Sequence, residues 1–265
     1  MKSGYAVVSD TPAQRDKPRR VAIVTGAAGG IGEATACALA ADGLVVVSAD
    51  LNREGAEATA RTIAANGGEA IGSFVDVSSR ASVVDLVATT LNLLGRLDVL
   101  VNNAGIIDFA PVLDLTEAAW DRLLSVNLKG AFFCAQRAAA TMIEHGIAGV
   151  IVNVTSISAE LPEPDCIHYG VSKAGLAYLT RTLALDLAPR NIRVVAVAPG
   201  TTRTPMNSIQ LADPVVVAAR LATIPLKRVA EPADIAATIS FLVSDAASYV
   251  TGSTLYVEGG MMLMR

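Results

Sequence analysis

A β-branched run that opens directly into a glycine-rich turn constrains this chain most. Val21-Ala-Ile-Val-Thr25 leads without a break into Gly26-Ala-Ala-Gly-Gly-Ile-Gly32. A short, continuous apolar run marks a strand buried on both faces, the condition of a parallel sheet. Parallel strands need a crossover, and a helical pattern over 31–41 supplies it. The alternation then repeats. Strands are expected over 44–48, 70–75, 97–101, 149–155, 191–198 and 253–257. Helices are expected over 54–65, 81–94, 116–144, 168–188 and 231–243, with Thr116 capping the third of these. The fold class is therefore α/β, a doubly wound parallel sheet of about seven strands with helices on both faces. No repeat or linker interrupts it, so residues 20–265 read as a single nucleotide-binding and catalytic domain. Residues 1–19, polar and holding Pro12 and Pro18, read as a flexible lead-in. The one long irregular stretch, 201–230, has the length of a lid or binding loop.

Composition narrows the function classes. Of 265 residues, 52% are apolar and 17% charged, which suits a large buried core and excludes disorder. The net charge of −4 provides no basic field for nucleic acid or an anionic membrane surface. Cys37, Cys134 and Cys166 are widely spaced, and the chain has only His145 and His168. Neither a disulfide framework nor a metal site is expected. The most apolar stretch, 38–49, is broken by Asp42 and Gly43, too short and too interrupted for a membrane span. These features point to a cytoplasmic protein.

The turn after the first strand is the natural place for a dinucleotide. Glycine lets backbone approach a pyrophosphate, and the helix that follows presents its N-terminus to that anion. Gly26, Gly30 and Gly32 provide this, with Ile31 between the last two. Asp50 ends the second strand, eighteen residues after Gly32. A carboxylate there accepts both hydroxyls of an adenosine ribose and repels a 2′-phosphate. Leu51 follows it, so no cation stands ready for that phosphate; Arg53 lies a little further on. The expected cofactor is NAD.

A second constellation lies in the later half. Tyr169 and Lys173 are four residues apart, which on a helix puts phenol and ammonium on one face. A cation beside a phenol favours phenolate and lowers a pKa that is otherwise near 10.

Read together, Thr25-Gly-Ala-Ala-Gly-Gly-Ile-Gly32, Asp76-Val77, Asn102-Asn-Ala-Gly105, Asn127, Ser156, Tyr169-x-x-x-Lys173 and Pro199-Gly200 occur in the order of one family. From residue 20 to about 262 the chain resembles a short-chain dehydrogenase/reductase of the TGxxxGxG and YxxxK type. The resemblance implies a Rossmann-like fold and interconversion of a secondary alcohol and a ketone by hydride transfer. It implies that Tyr169 is the acid/base, that Lys173 tunes it and holds the nicotinamide ribose, and that Ser156 binds the substrate oxygen. Asn127 would hold a water in a proton relay. Asp76 and the Val77 amide would hold adenine, Asn103, Ala104 and Gly105 would let the cofactor lie close, and Pro199, Gly200, Thr202 and Thr204 would clamp the carboxamide. Thr202 departs from the aliphatic residue usual at that place. The final strand and apolar tail resemble those that pair across a two-fold axis, implying a homotetramer.

The segment 160–168 lies between Ser156 and Tyr169 and is expected to line the substrate pocket. Ile107, Phe109, Ile157, Leu161, Met206 and Ile209 are candidate walls, with Ser158 a candidate polar contact. His168 and Cys166 read as structural. No cation is evidently committed to a substrate carboxylate, and Arg203 is the nearest candidate. The expected substrate is a small, largely uncharged secondary alcohol or ketone, cyclic ones and polyols included. The competing reading is an NADPH-dependent carbonyl or 3-oxoacyl-thioester reductase. A more remote one is a nucleotide-binding protein without catalysis.

Overall fold

Alternation within single strands explains how the sheet is covered on both sides. In the computed structural model, which describes residues 19–264, the first strand, β1 (Val21–Thr25), is buried throughout. Successive side chains of a strand point to opposite faces. Ala22 and Val24 accordingly join one apolar core, and Ile23 joins the other. The remaining strands are β2 (Val45–Asp50), β3 (Glu69–Phe74), β4 (Val99–Asn102), β5 (Val150–Val154), β6 (Arg193–Pro199) and β7 (Thr254–Val257). All pair in parallel, in the order β3-β2-β1-β4-β5-β6-β7.

Helix α1 (Gly30–Ala41) leads into β2, α2 (Arg53–Ala65) into β3 and α3 (Arg80–Leu94) into β4. Then come α4 (Glu117–Leu124), α5 (Ala131–Glu144) and α6 (Ile167–Leu187). Helices α7 (Ser208–Leu211) and α8 (Pro214–Thr223) precede α9 (Pro232–Val243). Leu39 of α1 and Ile235 and Ile239 of α9 fill the Val24 side, while Leu86 of α3 and Ala135 of α5 fill the Ile23 side. Strand order reverses between β1 and β4. In an open α/β sheet that reversal opens a crevice beyond the strand carboxyl ends.

The α/β architecture, the seven strands and the helix on each crossover match the sequence reading. Two elements do not. The single helix expected over 116–144 is capped by Thr116, whose Oγ1 accepts Ala119 N, but it is interrupted. Ser125–Gly130 forms a π-helical turn between α4 and α5. The stretch 201–230, expected to be irregular, holds α7 and α8. Asp213 caps α8 by accepting Val215 N at 2.8 Å, with Pro214 in the first turn. The base of this excursion is pinned to the sheet end: Thr202 bridges Ala230, and Arg203 N donates to Ala230 O at 2.8 Å. The lead-in expected over 1–19 lies, Arg19 apart, outside the described residues. None of the helices among the described residues is long and apolar enough to cross a membrane.

Candidate active site

The nucleotide end is built where β1 stops. The chain turns at Gly26 with φ 67°. A Cβ there would sit 2.8 Å from Ala104 Cα, and one on Gly32 would sit 2.0 Å from Gly26 O. Glycine is required at both places, because nothing in the backbone can yield by that much. The N-cap of α1 is Gly29, which has no side chain to cap the helix, so its first amides are not spent on a cap. They and the helix dipole present a donor surface suited to a phosphate.

Neighbouring side chains fix this turn. Asn103 Nδ2 donates to Thr25 O and Gly26 O, each at 3.0 Å. Thr25 Oγ1 accepts the amides of Asn103 and Ala104 at 3.1 Å. Asp50 accepts Ala28 N at 3.0 Å and Asn52 N at 2.8 Å, which holds its carboxylate at the cleft edge with lone pairs to spare. A turn with no room for a Cβ at Gly26 or Gly32, uncapped helix amides and a carboxylate at the next strand end fit a dinucleotide. Leu51, by contrast, is 66% exposed. Asp76 turns its Oδ1 to Ser78, accepting the amide at 2.9 Å and the hydroxyl at 2.6 Å. Leu51, Asp76, Val77, Gly32 and Ala104 do not line the cleft at the carboxyl ends of the strands.

That cleft measures about 530 Å³ and runs from Asp50 to the far side of Tyr169. Ser156, Ser158, Tyr169, Lys173, Gly105, Pro199, Gly200, Thr202 and Thr204 all border it. Ser156 follows β5, and Tyr169 and Lys173 stand in the first turns of α6. Ser156 favours the ionised form of the Tyr169 phenol, against the effect of burial. Ser156 Oγ accepts Ser158 N at 3.1 Å and meets Ser158 Oγ at 3.1 Å. Lys173 Nζ donates to Val154 O at 2.9 Å and lies 5.6 Å from the Tyr169 ring centre.

The electrostatics correct one expectation. Burial pushes the Tyr169 phenol up to about 12, and Ser156 opposes this only in part. Burial also brings the Lys173 ammonium down to about 8. Lys173 stands over the ring and spends a proton on a carbonyl, so it does not offset the desolvation of the phenol. The spacing gave the right neighbours and the wrong sign.

Asn127 sits in the π-helical turn, buried behind Gly105. Its Oδ1 accepts Ile106 N at 2.8 Å, and its Nδ2 donates to Ile106 O at 2.9 Å and Ser172 Oγ at 3.2 Å. A Cβ on Gly105 would lie 3.3 Å from Asn127 Oδ1 and 3.5 Å from Lys173 Nζ. One chain of contacts therefore joins α4–α5, the β4 loop and α6.

The substrate end differs in detail from the sequence reading. Ile107, Phe109, Ile157 and Met206 border the cleft. Leu161 instead packs beside Ile157, Ile224 and Met261, and Ile209 is 87% exposed. His168 is fully buried with neither ring nitrogen bonded among the described residues. Arg203 pairs with Glu231 at 3.1 Å, outside the cleft. Besides Lys173, the cation that borders the cleft is Arg220 of α8, paired with Glu163. The segment 160–168, which holds Glu163, was expected to line the pocket; sequence reasoning missed Arg220. The Asp213-Pro214 start of a helix was the available signal, since it puts Val216 and Arg220 on one face.

Known proteins resemble this chain over most of its length. A family model described as enoyl-(acyl carrier protein) reductase matches residues 26–262. A 3β-hydroxysteroid dehydrogenase 1 of Eggerthella lenta is 41% identical over 94% of this chain and 95% of its own. A 3-oxoacyl-[acyl-carrier-protein] reductase of Synechocystis sp. is 42% identical over 92% of this chain and 97% of its own. A solved short-chain type dehydrogenase/reductase from Mycobacterium marinum superposes with a TM-score of 0.88 at 34% identity, covering 91% of this chain and 95% of that one. The chain belongs to the short-chain dehydrogenase/reductase family. It is an oxidoreductase of a family that binds a nicotinamide cofactor.

Proposed function

We propose that this short-chain dehydrogenase/reductase interconverts a small, largely uncharged secondary alcohol and its ketone, with NAD as the preferred cofactor. The observation that carries the reaction is the Ser156–Tyr169–Lys173 cluster on the border of a cleft whose other end is a dinucleotide cradle. The bound cofactor supplies or takes the hydride and, when oxidised, brings a positive charge to the site. Tyr169 moves the proton on the substrate oxygen. Ser156 donates to that oxygen as charge develops, held in place by Ser158. Lys173 holds ribose hydroxyls, and Asn127 holds the water that refills the proton. Gly26, Gly30, Ile31 and Gly32 take the pyrophosphate. Asp76 and Val77 reach the adenine end, with Leu51 flanking it. Asn103, Ala104 and Gly105 form the floor, and Pro199, Gly200, Thr202 and Thr204 take the carboxamide. Ile107, Ser158 and Met206 touch substrate.

Asp50 supports NAD over NADP. Its carboxylate is fixed by two amides at the ribose end, where a 2′-phosphate would meet a like charge. Arg53, the nearest cation, lies over the Phe74 ring at 5.9 Å. The second reading, an NADPH-dependent 3-oxoacyl-thioester reductase, draws on the Synechocystis relative. Rates with NAD and NADP across a panel of secondary alcohols and ketones decide between them. The account expects kcat/KM at least tenfold higher with NAD; a preference for NADP would overturn the cofactor assignment. The three cysteines are unpaired, which suits a cytoplasmic setting.

A further inference from the structure

The far wall of the cleft carries one ion pair, set among apolar side chains and the amides of Asn207 and Gln210. Its charged lining side chains are Asp50, Lys173, Glu163 and Arg220. The first belongs to the nucleotide end and the second to Tyr169. The other two come from separate elements, Glu163 from the loop before α6 and Arg220 from α8. Arg220 Nη2 donates to Glu163 Oε1, with side chains 37% and 28% exposed. Leu211, Val216, Phe109 and Met206 border the cleft with them.

The pair is only partly satisfied. A guanidinium has five N–H donors and a carboxylate about four acceptor sites. Among the described residues, one bond joins these two groups and no other partner takes up the rest. What remains is a donor beside an acceptor, with no net charge. Glu163 is also close enough to Tyr169 for its charge to act on the phenol.

Three kinds of substrate would meet this wall differently. A carboxylate would find an Arg already neutralised and a like charge beside it. An alkyl or acyl chain would cover the pair and leave its donors and acceptor without partners, a costly arrangement. A hydroxyl both donates and accepts, so it satisfies both members at once. The apolar neighbours then suit the C–H face of a ring.

We infer that Glu163 and Arg220 form a hydroxyl-reading subsite, and that the substrate is a neutral, polyhydroxylated ring bearing a hydroxyl besides the one oxidised. This rests on the proposed alcohol–ketone reaction and specifies its substrate class. Both residues determine specificity and take no part in the proton or hydride step.

The test measures kcat/KM with NAD for a panel of aldoses and inositols, for cyclohexanol and for 3-hydroxybutyrate. In the wild-type protein the best polyol should exceed cyclohexanol and the hydroxy acid by at least tenfold. Glu163→Gln and Arg220→Gln should each lower the polyol-to-cyclohexanol ratio about tenfold, chiefly through KM. Glu163→Gln alone should raise the relative rate with the hydroxy acid. NADH binding, followed by fluorescence, reports whether each variant is folded; the wild-type ratio decides the matter if one is not. A wild-type preference for cyclohexanol or the acid would overturn the inference and leave the reaction standing. An equal fall on all substrates, the mark of a loop latch, would do the same. A wild-type protein that turns over no alcohol and reduces no ketone would overturn both.

Discussion

At the scale of single residues, burial rather than spacing sets the behaviour of the Tyr169–Lys173 pair. Four-residue spacing predicted that the two would be neighbours, and they are. It could not predict that Val154 O would claim the ammonium. The shifts carry a stability signature. Lys173 falls from its ordinary 10.5 to about 8, so the folded state binds fewer protons than the unfolded one between those values. Stability should therefore rise with pH across that window and be lost as pH falls through about 8. Tyr169 is shifted from 10.0 to about 12, so its contribution is present below 10.0 and lost as pH rises through about 12. Lys173→Met removes the first effect. Urea midpoints at pH 7.5 and pH 10 should climb for the wild-type protein and stay nearly level for the variant; equal slopes would contradict the assignment.

At the scale of elements, what was legible is what is local. The β1–turn–α1 unit could be read because glycines follow a buried strand within a few residues, and both glycine constraints are enforced there by backbone contacts. The π-helical turn could not be read, because its causes are distant in sequence. Asn127 grips the main chain of Ile106, twenty-one residues away, and a Cβ on Gly130 would meet Val77 O at 2.8 Å. A π turn inside a helix often marks a functional position, and here it carries Asn127. Asn127→Ala would leave both polar groups of Ile106 without partners. The expected loss is roughly 2–4 kcal/mol of unfolding free energy, measured by chemical denaturation; a change below about 0.5 kcal/mol, the range of an ordinary surface substitution, would show the grip to be dispensable. The pairing of Glu163 with Arg220 on the substrate wall was illegible for a similar reason. Glu163 and Arg220 are fifty-seven residues apart, and only the folding of α8 over the cleft brings them together.

At the scale of the whole molecule, one sheet places a glycine-rich turn and the Ser156, Tyr169 and Lys173 side chains along one cleft at its carboxyl edge. The same sheet ends in β7, which among the described residues pairs only with β6 and carries a 41% exposed Tyr256. An open edge with apolar side chains invites pairing. Leu263 and Met264, a few residues on, are also exposed. We propose a homotetramer with β7 at one of its two-fold interfaces. Sedimentation at micromolar concentration should return four times the chain mass of 27.3 kDa, and a stable monomer would remove this proposal. The central claim is that the Tyr169 hydroxyl moves the proton. It is tested most directly by the turnover of Tyr169→Phe, followed by absorbance of the reduced nicotinamide on the best alcohol. The account predicts a fall of roughly 10²–10⁴-fold in kcat, with NADH affinity within about threefold of the wild-type value. Undiminished turnover in a folded, NADH-binding variant would contradict it.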